Sequence, residues 1–221
     1  MSNLIISYNL MGGESYALVN DTDEYFTRLE SLVNDIKQGK GESCKYLYFA
    51  FVSLASSTLE YSLNLMLATH CFVKYHVPKY EQHLQVFLDI KFSTKIEITP
   101  EIVSEGEFTI NKEIPTLQCL KELVDKRNNL MHNSKAVKVQ SFESKHTGAI
   151  KKDGCIIIPV DALNHDNVLE DSFNVKDNAI TTLTSNWCIR MWNAILDYRE
   201  YIITPYLSQS WLQDNYLLKR S

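Results

Sequence analysis

Between Lys45 and Glu60 the chain carries no charged residue, and the apolar character continues to about Val77, one position before Pro78. A run this long without glycine or proline breakers predicts one helix, from about Glu42 to Val77, stopped by the proline. At about 1.5 Å per residue it would reach roughly 50 Å. A helix apolar on nearly every side belongs at the centre of a bundle or at a dimer face. Ala50, Ser53, Ala55, Ser56 and Ser57 keep part of its surface thin, so neighbouring helices can approach closely there.

The remaining helices arrange themselves around that one. Phe26, Leu29, Val33 and Ile36 recur at helical spacing and predict a helix over about 21–38, capped by Asp21 or Thr22 and ended by Gly39 and Gly41. Proline suits a first helical turn, so Ile114-Pro115-Thr116 starts a third helix over about 115–134. Its inward positions are Leu117, Leu120, Leu123, Val124, Leu130 and Met131. Ile180, Leu183, Trp187, Met191, Ala194 and Tyr198 predict a fourth helix over about 178–204, ended by Pro205. Trp211, Leu212, Tyr216 and Leu217 suggest a short final helix that packs back.

Two connections read as insertions. In residues 79–112, Ile96–Thr99 and Glu107–Ile110 alternate as short strands do. In residues 136–176, Ala136–Phe142 and Cys155–Val160 flank a polar stretch with two glycines, as a hairpin would. Residues 3–10 read as a strand or a loose arm. The expectation is an all-α chain: a single domain over 1–221, a four-helix up-and-down bundle with small β-hairpin-like insertions.

Composition removes several function classes. No stretch reaches eighteen apolar residues without a charge, so no membrane span is expected. The first residues lack a basic leader and a long apolar region, and do not read as a secretion signal. Five scattered cysteines without a Cys-x-x-Cys pair read as reduced thiols in the cytoplasm. His70, Cys71, His76 and His83 lack paired metal-ligand spacing, and no metal or cofactor is expected. There is no phosphate-cradling glycine loop and no nucleophile elbow. Tyr46, Tyr48, Phe49 and Phe51 read as core rather than as a base-stacking platform.

The chemistry gathers in Lys126-Arg127-Asn128-Asn129-Leu130-Met131-His132-Asn133. An arginine holds phosphate through a planar fork of donors. A histidine moves a proton near neutral pH. Asn128 and His132, four apart, share a helix face, whereas Arg127 and His132 diverge by about 140° on a regular helix. The long guanidinium can bend back, or the helix can loosen at Asn133-Ser134. Acid–base cleavage of RNA uses two proton carriers, which a two-fold dimer supplies from one motif. The net charge of −5 excludes a general nucleic-acid coat, yet Lys121–Lys152 carries eight basic residues against three acids. Lys126, Lys135 and Lys138 are therefore candidate RNA contacts, with a solvated loop as the alternative. Glu60, the first charge after the apolar run, is a candidate partner for Arg127 or His132.

The R-x4-6-H spacing, the asparagine directly after the arginine, and the position late in a helix resemble the HEPN superfamily over Leu120–Asn133. The helix order extends that resemblance loosely over most of the chain. Active members are metal-independent endoribonucleases of toxin–antitoxin, CRISPR and anti-phage systems that act as dimers. The resemblance implies His132 as proton carrier at the ribose 2′-hydroxyl and Arg127 on the scissile phosphate. Asn128 would position either, and the products would be a 2′,3′-cyclic phosphate and a 5′-hydroxyl. Ser134 stands where many family toxins paired with a nucleotidyltransferase carry tyrosine, which departs from a partnership with that kind of antitoxin. Two other uses stay open. One is a non-catalytic helical module that binds RNA, a nucleotide or a protein. The other is a structural Arg127–Glu60 pair.

Overall fold

The computed structural model describes residues 3–8, 15–75, 79–131, 150–152, 155–157, 183–208 and 212–221. The chain divides into two compact units, Met1–Asn128 with Leu183–Ser221, and Asn129–Thr182. Among the described residues the secondary structure is mostly helical, with three two-stranded ribbons.

In the first unit, β1 (Asn3–Tyr8) pairs antiparallel with β2 (Ser15–Asn20), with Asn3 opposite Asn20 and Tyr8 opposite Ser15. Helix α1 (Thr22–Lys37) follows. Its start is capped from Asn20, whose Oδ1 accepts from the Thr22 amide at 3.0 Å and from the Thr22 hydroxyl at 2.6 Å. Asp21, one of the two expected caps, holds the N-cap position, but its side chain makes no cap bond; Thr22 is the first helical residue. Asp23 instead accepts from Arg199 at 2.9 Å. Phe26, Leu29, Val33 and Ile36 are buried as the spacing predicts.

The helix expected over about 42–77 is broken once, before the apolar run begins. A short helix, α2 (Lys40–Ser43), precedes α3 (Tyr46–Tyr75). Gly39 ends α1 with φ at +79°, a conformation that side chains rarely adopt. Gly41 lies under the Tyr48 ring, where a Cβ would come within 2.5 Å of the ring. Helix α3 packs against α1 and α2 and carries the largest share of the core.

Residues 79–112 form two helices, α4 (Tyr80–Leu88) and α5 (Phe92–Val103), both packed on α3. The expected strand at Ile96–Thr99 is thereby overturned. Phe92, Ile96, Thr99 and Val103 are all buried, and their spacing of four, three and four is one helix face. Four residues of alternation are too few to exclude that period. Pro100 sits inside α5 and has no amide hydrogen for the Ile96 carbonyl. The buried Tyr198 hydroxyl donates to that carbonyl at 2.9 Å. Only Phe108–Ile110 (β3) is a strand here.

Helix α6 (Pro115–Met131) begins at the predicted proline and runs into the second unit. The expected extension to residue 134 lies outside the described residues. Helix α7 (Ser185–Tyr198) is capped by Thr184, whose hydroxyl accepts from the Trp187 amide at 3.2 Å. Leu183 and Thr184 are not helical, so the fourth helix starts later than about 178. Nor does Pro205 end it. A π turn, Arg199–Ile203, leads into α8 (Thr204–Leu207), and Pro205 takes a first-turn position there. The expected final helix is corrected: residues 212–217 are irregular, and a strand, β6 (Leu218–Arg220), follows them and pairs antiparallel with β3. Trp211 lies outside the described residues, while Leu212 and Leu217 are buried.

In the second unit, β4 (Ile150–Lys152) pairs antiparallel with β5 (Cys155–Ile157). The hairpin partner of Cys155–Ile157 is therefore Ile150–Lys152, while Ala136–Phe142 and residues 158–160 lie outside the described residues. No helix of the described residues is long and apolar enough to cross a membrane.

Candidate functional site

Helix α6 is held by polar rungs on its neighbours. The Thr116 hydroxyl donates to Asp197 at 3.2 Å. Lys121 pairs with Glu97 of α5 at 2.6 Å. Glu122 accepts from the Trp187 indole at 2.5 Å and from Arg190 at 2.7 Å. These fix the rotation of α6 about its axis, and Arg127 follows Glu122 by about 7 Å of helix rise.

Arg127 meets Glu60 of α3. The nearest guanidinium nitrogen is 3.9 Å from the carboxylate, and each side chain keeps 32% of its surface exposed. That separation is an ion pair rather than a hydrogen bond. Arg127 also donates to the Asn128 side-chain oxygen at 3.1 Å. The structure thus brings together three of the residues singled out in the sequence: Arg127, Asn128 and Glu60. Asn128 is exposed and Lys126 half-exposed. His132, Lys135 and Lys138 lie outside the described residues.

A residue missed in the sequence lies within reach of the Glu60 charge. Lys95 of α5 is only 2% exposed, and its ammonium donates to Asn64 Oδ1 at 2.8 Å and to the Leu88 carbonyl at 2.9 Å. Burial holds its pKa below the ordinary lysine value, opposed by the charges of Glu60 and Asp89. The signal was present in the sequence. Lys95 falls on the Phe92–Ile96–Thr99 face, and a helical reading of that stretch exposes a charge among core positions. The strand reading hid it.

The aromatic cluster splits. Tyr48 and Phe51 are buried, whereas Tyr46 is 69% and Phe49 41% exposed, which corrects the expectation of four core rings. Tyr46, Phe49 and Ser57 are exposed, Ala50 and Ser53 half-exposed, and together they form a ridge of α3 leading to Glu60. Among the described residues no three His, Cys, Asp or Glu side chains gather as a metal site would need. His70 is buried, and burial together with nearby Lys74 lowers its pKa, so it stays neutral near pH 7. Burial pushes the Cys188 thiol up to about 12, a packing role rather than a nucleophile. Comparison with family models, with curated proteins and with solved structures finds no match for this chain.

Proposed function

We propose that the chain is a metal-independent endoribonuclease of HEPN type. In this reading it has the family's four-helix up-and-down bundle and acts in the cytoplasm as a homodimer, as a toxin or anti-phage effector. The observation that supports it most is the Arg127 guanidinium, steadied by Asn128 and Glu60 yet still reachable from solvent. A planar fork held this way is suited to a phosphate whose negative charge grows as the phosphorane forms. His132 takes the proton of the 2′-hydroxyl while that oxygen attacks phosphorus. The bond to the 5′-oxygen breaks, and the imidazole of the second protomer protonates the leaving oxygen. The products are a 2′,3′-cyclic phosphate and a 5′-hydroxyl. DNA, which lacks the 2′-hydroxyl, resists.

The second protomer fits the open ridge of α3. From Tyr46 to Glu60 that ridge is about 21 Å long. Its small residues permit close helix approach, and its exposed rings offer apolar area. Glu60 and Arg127 at its end are opposite charges, which suits a self-complementary two-fold contact.

Total RNA incubated with wild type and with His132→Ala in chelator, followed by end-group analysis, tests the proposal. Wild type is expected to leave cyclic phosphate ends and His132→Ala none. Cleavage that persists in His132→Ala refutes it. A second reading is a non-catalytic module that binds RNA, a nucleotide or a protein partner. It is favoured by the same contacts, since a guanidinium already engaged by two side chains is also what a docking residue looks like. Labelled RNA that stays uncut, but is retained by wild type and released by Arg127→Ala, decides for it.

A further inference from the structure

Lys95 sets an unusual constraint on its neighbour. An ammonium has hydrogens to donate and no lone pair to offer. The Asn64 oxygen accepts from it at 2.8 Å, so the amide cannot turn its nitrogen inward. The Asn64 NH2 group is therefore held on the side away from Lys95. Asn64 is also the one half-exposed position between Ser62 and Phe72, with every other residue of that stretch buried. It lies one helical turn beyond Glu60, on the same face of α3.

We infer that Asn64 is an additional RNA-contacting residue, its NH2 group aimed by Lys95 at a phosphate oxygen of the strand bound at Arg127. The inference rests on the ribonuclease reading above. Local charge permits it. Glu60 is the carboxylate beside Asn64, and it is offset by Arg127 at 3.9 Å and by the positive charge of Lys95. Asp89, the other acid felt by Lys95, accepts from Gln85 at 2.9 Å. Packing alone does not account for the lysine. A methionine fills similar space without the cost of burying an ammonium against two neutral acceptors. What the lysine adds is positive charge and a fixed direction for the Asn64 amide.

Asn64→Asp separates the roles. The carboxylate still accepts from Lys95, so the fold is kept, but the outward donor becomes an anion. The measurement is binding of a short labelled single-stranded oligoribonucleotide, in a His132→Ala background with chelator, alongside thermal melting. Asn64→Asp is expected to melt at or above its parent and to bind RNA about tenfold more weakly, the loss of one charge-assisted hydrogen bond. Lys95→Met frees the Asn64 amide to rotate and is expected to weaken binding a few fold. If Asn64→Asp binds as its parent does while Arg127→Ala binds more weakly, the Asn64 inference is overturned and the ribonuclease reading stands. A large drop in melting temperature for Asn64→Asp overturns the inference too, because Lys95 would then not be the group it faces. A parent that binds no RNA overturns both.

Discussion

The two halves of α3 are almost equally apolar in sequence and end up in different surroundings. From Ser62 to Phe72 every residue but Asn64 is buried, with Phe72 against Tyr80 of α4 and Asn64 against Lys95 of α5. From Tyr46 to Glu60 one ridge stays open. The closed half is core in the ordinary sense. The open half ends at the one place where α3 and α6 present opposite charges to solvent. Apolar character alone thus does not separate a covered stretch of helix from an open one. What separates them is whether the chain supplies a cover.

The comparison is broken most forcefully at Leu63, fully buried in the closed half. Leu63→Ala is expected to cost about 2–5 kcal/mol in denaturant unfolding. Phe49→Ala in the open half, measured at protein concentrations where the chain is monomeric, is expected to change stability by about 0.5 kcal/mol. Equal losses would mean that the ridge is covered within one chain. Next in size is Arg127→Ala. Its cleavage rate should fall by about a hundredfold as transition-state charge loses its partner. Its melting should barely move, because an exposed pair contributes about 1 kcal/mol or less. A large melting change with unaltered cleavage would make Arg127 a structural residue.

A smaller effect is expected from Lys95→Met, about 1 kcal/mol in either direction, as relief of the buried charge offsets two lost hydrogen bonds. Its signature is in the pH dependence. The folded lysine pKa lies below the unfolded one, so between the two values the unfolded chain binds more protons. Wild-type stability therefore gains as pH rises through that alkaline window, and Lys95→Met should lack the gain. The smallest effect is at Glu97, whose carboxyl is held low first by its hydrogen bond to Lys121, then by the Lys121 and Lys112 charges. Its contribution is present above the ordinary carboxylate range and is lost as pH falls through the depressed value. Glu97→Gln should cost under about 1 kcal/mol at neutral pH and flatten the acid limb of unfolding.

Several features were legible before any fold was known. The periodicity of Phe26, Leu29, Val33 and Ile36 placed α1 to within a residue at each end. Pro115 placed the start of α6, and the charge-free run placed α3. Residues 79–112 were misread because a four-residue alternation carries too few positions to reject a helical period. The C-terminal segment was misread because its pairing partner, β3, lies about a hundred residues earlier, and no local pattern announces a strand completed at that distance. At the site, Arg127 and Asn128 were legible as residue types with suitable chemistry. Asn64 and Lys95 were not, since a lone asparagine in an apolar helix and a lysine in a misread strand gain meaning only in contact.

The sequence by itself determined where α1, α3 and α6 run, and it named residue types suited to phosphate and proton chemistry, because both follow from spacing along one chain. Only the tertiary structure decided that Glu60 faces Arg127, that Lys95 lies beneath Asn64, and which half of α3 stays open. Those outcomes depend on how helices rotate and stack. Their orientation is set by distant contacts such as Glu122 with Trp187 and Arg190, and Tyr198 with the carbonyl that Pro100 leaves without a donor.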